Sequence, residues 1–157
     1  MPAAQASAGS AGAATDPAVS LRFTVTIDGK SIGNFNTCSG LKAEVVMEQR
    51  EEGGTNGFVW QLPSRIKYSN VTLKRAVGPD SHKLTDWLIS FATEATYKTA
   101  CITAMTGDGQ TVTSWNLDGV VPVSWSGPDL DVGTNNVAME TLVLAHHGFL
   151  PSTGAST

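Results

Sequence analysis

Charge is scarce in this sequence. Asp, Glu, Lys and Arg make up 15% of its 157 residues, against about 25% in an ordinary soluble domain. The net charge of −4 argues against the binding of nucleic acid or anionic lipid as the main function. No apolar run approaches the about 18 residues of a membrane-spanning helix. With so few charges, either Ser, Thr, Asn and Gly hydrate the surface or partner subunits cover much of it.

Cysteine is also scarce, with Cys38 and Cys101 as the two residues of this type. They form no CxxC motif, and no histidine lies at ligand spacing from them. Each lies in a stretch with the pattern of a strand. We therefore predict buried free thiols and a cytosolic origin, and a disulfide between the two stays an open alternative.

The two ends of the chain are built from small residues. Residues 1–20 are rich in Ala, Gly and Ser and lack both the positive start and the apolar centre of a secretory signal peptide. We predict a flexible arm over residues 1–20, one domain over 21–150 and a flexible tail over 151–157. An arm that becomes ordered against a neighbouring subunit is the alternative.

Most of the domain has the period-two pattern of β-strands. Residues 21–27 alternate between apolar and polar side chains, and Asp28-Gly29 predicts a tight turn into a second strand over 32–38. Another turn at Ser39-Gly40 leads into the alternating segment 41–49. Residues 50–64 contain three glycines and a proline, and we predict a long loop there.

The second half of the domain contains a helix between strands. Apolar residues at helical spacing predict one helix with Asp80 or Ser81 as its N-cap. The apolar residues of this face are Leu84, Trp87, Leu88, Phe91 and Ala95. Further strands are predicted at 68–77, 98–106, 111–117, 120–126 and 137–146, and Pro122 indicates an edge or a bulge. The fold class is mainly β: an antiparallel β-sandwich or partial barrel of seven to eight strands with one α-helix.

No group of residues in the sequence indicates catalysis. His146 and His147 would point to opposite faces of a strand, which does not suit one metal ion. Acidic loop pairs such as Asp129 and Asp131 lack the spacing of an EF-hand calcium site. The four tryptophans suit a core or an interface better than a sugar platform. We expect no catalytic residue, no cofactor and no metal.

Four motifs in this order resemble the tail tube protein family of contractile phage tails and phage-tail-like contractile injection systems. They are CSGL at 38–41, EGG at 52–54, NVTLKRAV at 70–77 and AMETLVLAHHGF at 138–149. The resemblance covers residues 21–150. It implies a structural, non-enzymatic subunit that forms hexameric rings, and these stack into the inner tube of a contractile injection system as a conduit for cargo.

The resemblance also implies partners and a location. The partners are further copies of the chain, sheath, baseplate and cap proteins, and a lumenal cargo or tape-measure protein. Neither specific nucleic-acid binding nor membrane insertion of the monomer is expected. Assembly would take place in the bacterial cytoplasm, before the subunit becomes part of the particle.

The predicted loop at 50–64 carries apolar side chains that a monomer would not cover, so we expect it to contact other subunits or rings. The expected interface residues are Glu48, Arg50, Glu51, Glu52, Phe58, Trp60 and Leu62. Two alternatives stay within the family: a contractile phage tail tube, or a specialised tube-initiating ring near the baseplate. A secreted carbohydrate-binding β-sandwich and a small hydrolase are the alternatives outside it.

Overall fold

A computed structural model describes residues 21–50, 59–133 and 137–151. This part of the chain forms ten strands and one helix. They are β1 (Leu21–Ile27), β2 (Lys30–Phe35), β3 (Thr37–Ser39), β4 (Ala43–Arg50), β5 (Trp60–Tyr68), β6 (Val71–Ala76), α1 (Ser81–Thr93), β7 (Lys98–Thr106), β8 (Thr111–Ser126), β9 (Met139–Ala145) and β10 (Gly148–Leu150). The predicted arm over 1–20, residues 152–157 of the predicted tail, and Glu51, Glu52 and Phe58 lie outside the described residues.

Eight of the strands form one antiparallel sheet in the order β2-β1-β7-β8-β9-β6-β3, with β10 also paired to β8. The long strand β8 joins the two halves of this sheet, because its first part pairs with β7 and its last part with β9. The register shifts between Pro122 and Ser124, which confirms the predicted bulge. Segments 111–117 and 120–126, predicted as separate strands, are thus one continuous strand of 16 residues.

The sheet folds back on itself into two layers. One layer is β2-β1-β7-β8, and the other is β8-β9-β6-β3. The chain also crosses between the layers where β2 leads into β3, and there the Asn36 N–H donates to the Lys74 carbonyl at 2.8 Å. The core between the layers includes Val25, Phe35, Leu73, Ile102 and Leu142. This confirms the predicted antiparallel sandwich or partial barrel with one helix.

Helix α1 lies against this core through Leu84 and Trp87, which are buried as its apolar spacing predicts. It ends at Thr93, so Ala95 lies beyond the helix and is exposed. Asp80 is the N-cap residue, although its side chain makes no capping hydrogen bond. No helix in the described ranges is long and apolar enough to cross a membrane.

Two predicted segments differ in the structure. Residues 60–64 belong to strand β5, so the prediction of a loop was wrong there. Residues 137–146 do not form one strand, because β9 ends at Ala145 and the chain leaves the strand at His146 and His147 before β10. The expectation that the two histidines lie within a strand was therefore wrong as well.

Strands β4 and β5 form a separate two-stranded sheet, called the arm below (43–50 and 60–68). The arm prolongs the pair β3–β6, since the Ser69 N–H donates to the Lys42 carbonyl at 3.3 Å between the two pairs. With eight residues in β4, it extends about 26 Å. Gly40 lies at its root with φ of +87°, and a Cβ there would collide with the Asn70 carbonyl.

Candidate functional site

One face of the arm is apolar and exposed. Val45 lies directly opposite Ile66, and Met47 is two residues further along the same strand, so the three side chains share a face. Their exposed fractions are 48% for Val45, 53% for Ile66 and 45% for Met47. Three adjacent half-exposed aliphatic side chains are typical of a contact surface.

The root of the arm shows on which side this face lies. Leu41 packs against the hydrophobic core. Tyr68 contacts the rings of His146 and Phe149, with centroid distances of 5.4 and 5.7 Å. The apolar face of the arm therefore continues the core-facing side of strands β3 and β6. It extends beyond the sandwich, where no described part of the chain covers it.

The other face of the arm carries charge. Adjacent residues in a strand point to opposite sides, so this face bears the side chains that alternate with the apolar ones. They are Lys42, Glu44, Glu48 and Arg50 from the first strand and its lead-in, and Arg65 and Lys67 from the second. Lys42 and Glu44 form an exposed ion pair at 3.9 Å.

Four of the predicted interface residues come together near the tip of the arm. Arg50 lies opposite Trp60, and Glu48 lies opposite Leu62. Trp60 is 48% exposed and Leu62 is 38% exposed. These four residues share the charged face, and their role in assembly stays a prediction.

Sequence reasoning missed the apolar face as an interface. The alternation that runs from Leu41 to Met47 was the available signal, but it equally fits a strand that faces its own core. The pattern around Ile66 is interrupted by Pro63, and the register between β4 and β5 shifts next to this proline. The exposed face became evident only from the position of the arm outside the sandwich.

The positions of the histidines and cysteines bear on metal binding and on disulfide formation. Within residues 21–50, 59–133 and 137–151, no three His, Cys, Asp or Glu side chains lie close enough to hold a metal ion. His146 is buried beside Tyr68 and Phe149, whereas His147 is exposed beside Tyr97. Cys38 and Cys101 are both free thiols, and burial raises the pKa of Cys38 to about 11.

Comparison with solved structures finds the same fold in contractile injection systems. A chain of the extended PVC sheath–tube complex, from an extracellular contractile injection system, has a TM-score of 0.70 and 25% identity, over 82% of this chain and 86% of that chain. A chain of the six-fold symmetrised baseplate of the anti-feeding prophage (AFP) has a TM-score of 0.69 and 26% identity, over 87% and 95%.

A chain of the PVC sheath/tube terminator has a TM-score of 0.68 and 26% identity, over 82% of this chain and 91% of that chain. Among curated proteins, none matches the sequence. The family model described as T4-like virus tail tube protein gp19 matches residues 19–150. This match covers all of the described strands and the helix, so the chain belongs to the T4-like virus tail tube protein gp19 family.

Proposed function

We propose that this chain is the tube subunit of a phage-tail-like contractile injection system and that its copies assemble through the arm into stacked hexameric rings. The observation that carries this proposal is the exposed apolar face of Val45, Met47 and Ile66. This face continues the hydrophobic core, so another apolar surface would bury it favourably. A second copy of the chain supplies such a surface.

Burial of the apolar face would contribute to the stability of an assembly. Completing the burial of a half-exposed aliphatic side chain contributes about 1 kcal/mol, so the three side chains of the apolar face give about 3 kcal/mol for each arm. In a ring, each copy would both insert its arm and receive one. The same contact repeated around a closed ring also covers strand edges that would otherwise aggregate.

The layer that the arm prolongs is the one that we assign to the wall of the conduit. A barrel made from several copies needs a sheet that continues from copy to copy, and the arm extends the layer β8-β9-β6-β3. Six such layers supply about 24 strands, which close at a diameter of about 37 Å before tilt. Tilt of the strands widens this backbone diameter towards about 50 Å, and an opening of this size would admit a small folded protein.

The partners follow from the assemblies in which similar chains were solved. Those chains come from a sheath–tube complex, a baseplate and a sheath/tube terminator, and we propose sheath, baseplate and cap proteins as partners here. We also propose that residues 21–150 form the tail tube domain, since the family model matches residues 19–150. A tube-initiating ring near the baseplate is a second candidate, because the baseplate chain is as similar as the sheath–tube chain.

Membership of a tail tube family supports a structural role rather than catalysis. The test is electron microscopy of sheathed particles from the source cells, with mass spectrometry of their protein bands. A main tube subunit should be among the most abundant proteins of the particle, whereas a tube-initiating ring should be present in only a few copies. Absence of the chain from such particles would contradict both candidates.

A further inference from the structure

The cations of the described chain are concentrated on one structure, the ribbon formed by β3, β4, β5 and β6 (37–50 and 60–76). Five exposed cations and two exposed anions lie on it, a net charge of +3: Lys42, Arg50, Arg65, Lys67 and Lys74 against Glu44 and Glu48. Apart from the buried pair of Arg75 and Glu140, the described residues outside the ribbon include four cations and eight anions, and their net charge is −4. The two regions therefore carry opposite charge.

The cations differ in pairing as well as in number. Outside the ribbon, two of the four cations form ion pairs with described residues, Lys83 with Asp80 at 2.9 Å and Lys98 with Asp28 at 3.4 Å. On the ribbon, Lys42 pairs with Glu44. The remaining four cations of the ribbon form no ion pair with any residue of the described ranges.

The cations of the ribbon point to one side of the subunit. Lys42 follows Leu41, and Lys67 precedes Tyr68, and both of these neighbours pack inward. Lys74 lies between the buried residues Leu73 and Arg75. Since neighbouring residues of a strand point to opposite sides, all three lysines point away from the core.

We infer that the conduit wall formed by this chain is cationic and that it favours polypeptide cargo with an acidic surface. The inference rests on the proposed function, which makes the outward side of the ribbon the conduit wall. Charges of one sign around a narrow passage reinforce one another, because the protein walls focus their field. The unpaired cations would then interact with carboxylates on a passing protein, at an energy low enough for release.

Two features favour an acidic polypeptide over a nucleic acid. Glu44 and Glu48 lie among the cations, where they would repel a closely spaced phosphate backbone. Single-stranded nucleic acids also require aromatic platforms along the groove. Among the described residues, the charged face of the ribbon carries one aromatic side chain, Trp60, and it lies near the tip of the arm, where we expect a contact with another copy. An acidic protein carries mixed and widely spaced charges, which suit a wall of this kind.

The experiment measures retention of fluorescent probes in tubes assembled from the full chain. The probes are an acidic peptide, a basic peptide and a single-stranded oligonucleotide of equal length. We expect the acidic peptide to be retained about tenfold more than the basic one, and we expect this preference to vanish in about 0.5 M salt. In tubes of the double variant Arg65→Gln/Lys67→Gln, retention of the acidic peptide should fall about tenfold.

The control variant Lys83→Gln/Lys98→Gln removes the same number of cations outside the ribbon and should retain the acidic peptide normally. Equal retention of both peptides, tightest retention of the oligonucleotide, or full retention in the Arg65→Gln/Lys67→Gln tubes would overturn the inference while leaving the tube itself intact. Electron microscopy of each sample separates these results from a failure of the proposed function, in which no tube forms.

Discussion

Arg75 and Glu140 form an ion pair inside the hydrophobic core, with 2.5 Å between Nε and Oε1. Glu140 also accepts hydrogen bonds from Ser81 at 2.9 Å and from the Trp125 indole at 3.1 Å. Arg75 donates to the carbonyls of Ile32 and Asp80 and lies over the Phe35 ring. One buried network thus connects strands β2, β6, β8 and β9 with the start of α1.

Breaking this pair by Arg75→Leu should destabilise the subunit by about 3–5 kcal/mol, because Glu140 would be left buried without its counter-charge. Denaturant unfolding of the purified subunit measures the change. Lys74→Leu is the matched control, since this neighbour in the same strand is exposed, and it should change stability by less than about 0.5 kcal/mol. Equal effects of the two substitutions would show that the network adds little to stability.

The apolar face of the arm gives a second prediction. Val45→Asp or Ile66→Asp should abolish tube growth, because a charge would have to be buried against the next copy. The unfolding free energy of the monomer should stay nearly constant, since both side chains are about half exposed. Glu44→Gln on the opposite face is the control and should still assemble in sedimentation assays. Normal tubes from Val45→Asp would remove this face from the contact.

A third prediction concerns Trp60, an expected interface residue near the tip of the arm. Trp60→Ala should weaken assembly more than it lowers the melting temperature of the subunit, because about half of its surface is exposed and a contact with a neighbouring copy would bury it. Sedimentation compares assembly, and thermal unfolding compares the subunits. Unchanged assembly, together with a matched melting temperature, would exclude Trp60 from the contact.

Gly40 and Gly109 provide a matched pair at the same backbone angle, φ of +87°. Gly109→Ala should cost about 1 kcal/mol, since a Cβ there meets no atom within 4 Å. Gly40→Ala should cost at least about 2 kcal/mol more, because its Cβ would collide with the Asn70 carbonyl at the root of the arm. Denaturant unfolding of both variants measures the difference. Equal losses would show that the root adjusts freely.

The raised pKa of Cys38, about 11, predicts its reactivity. The thiolate is the reactive form, and at pH 8 only about one Cys38 side chain in a thousand is a thiolate. Iodoacetamide labelling of the folded Cys101→Ser variant should accelerate about tenfold for each pH unit between about 8 and 10. A rate that levels off near pH 9 would indicate an unshifted thiol.

Local patterns predicted much of the sandwich. The alternation of residues 21–27, the Asp28-Gly29 turn, the helical spacing of Leu84 and Trp87 and the bulge at Pro122 all reflect interactions between near neighbours in sequence. Such interactions can be recognised without knowledge of the tertiary structure.

The features that the sequence did not predict depend on contacts between residues far apart in the chain. Among the described strands, β5 pairs only with β4, in an arm that has no core of its own, so the sequence of β5 lacks a clear core-facing period. Arg75 and Glu140 are 65 residues apart, and each would pass for a surface charge when considered alone. The exposure of Val45 and Ile66 follows from where the arm leaves the sandwich, which alternation within a strand does not specify.

The most direct test of the account is a cryo-EM reconstruction of tubes assembled from the full chain. We expect rings of six copies in which Val45, Met47 and Ile66 of each arm are buried against the next copy, with Lys67 and Lys74 facing the lumen. Tubes in which the apolar face of the arm remains in solvent, or in which the other layer of the sandwich lines the lumen, would contradict it.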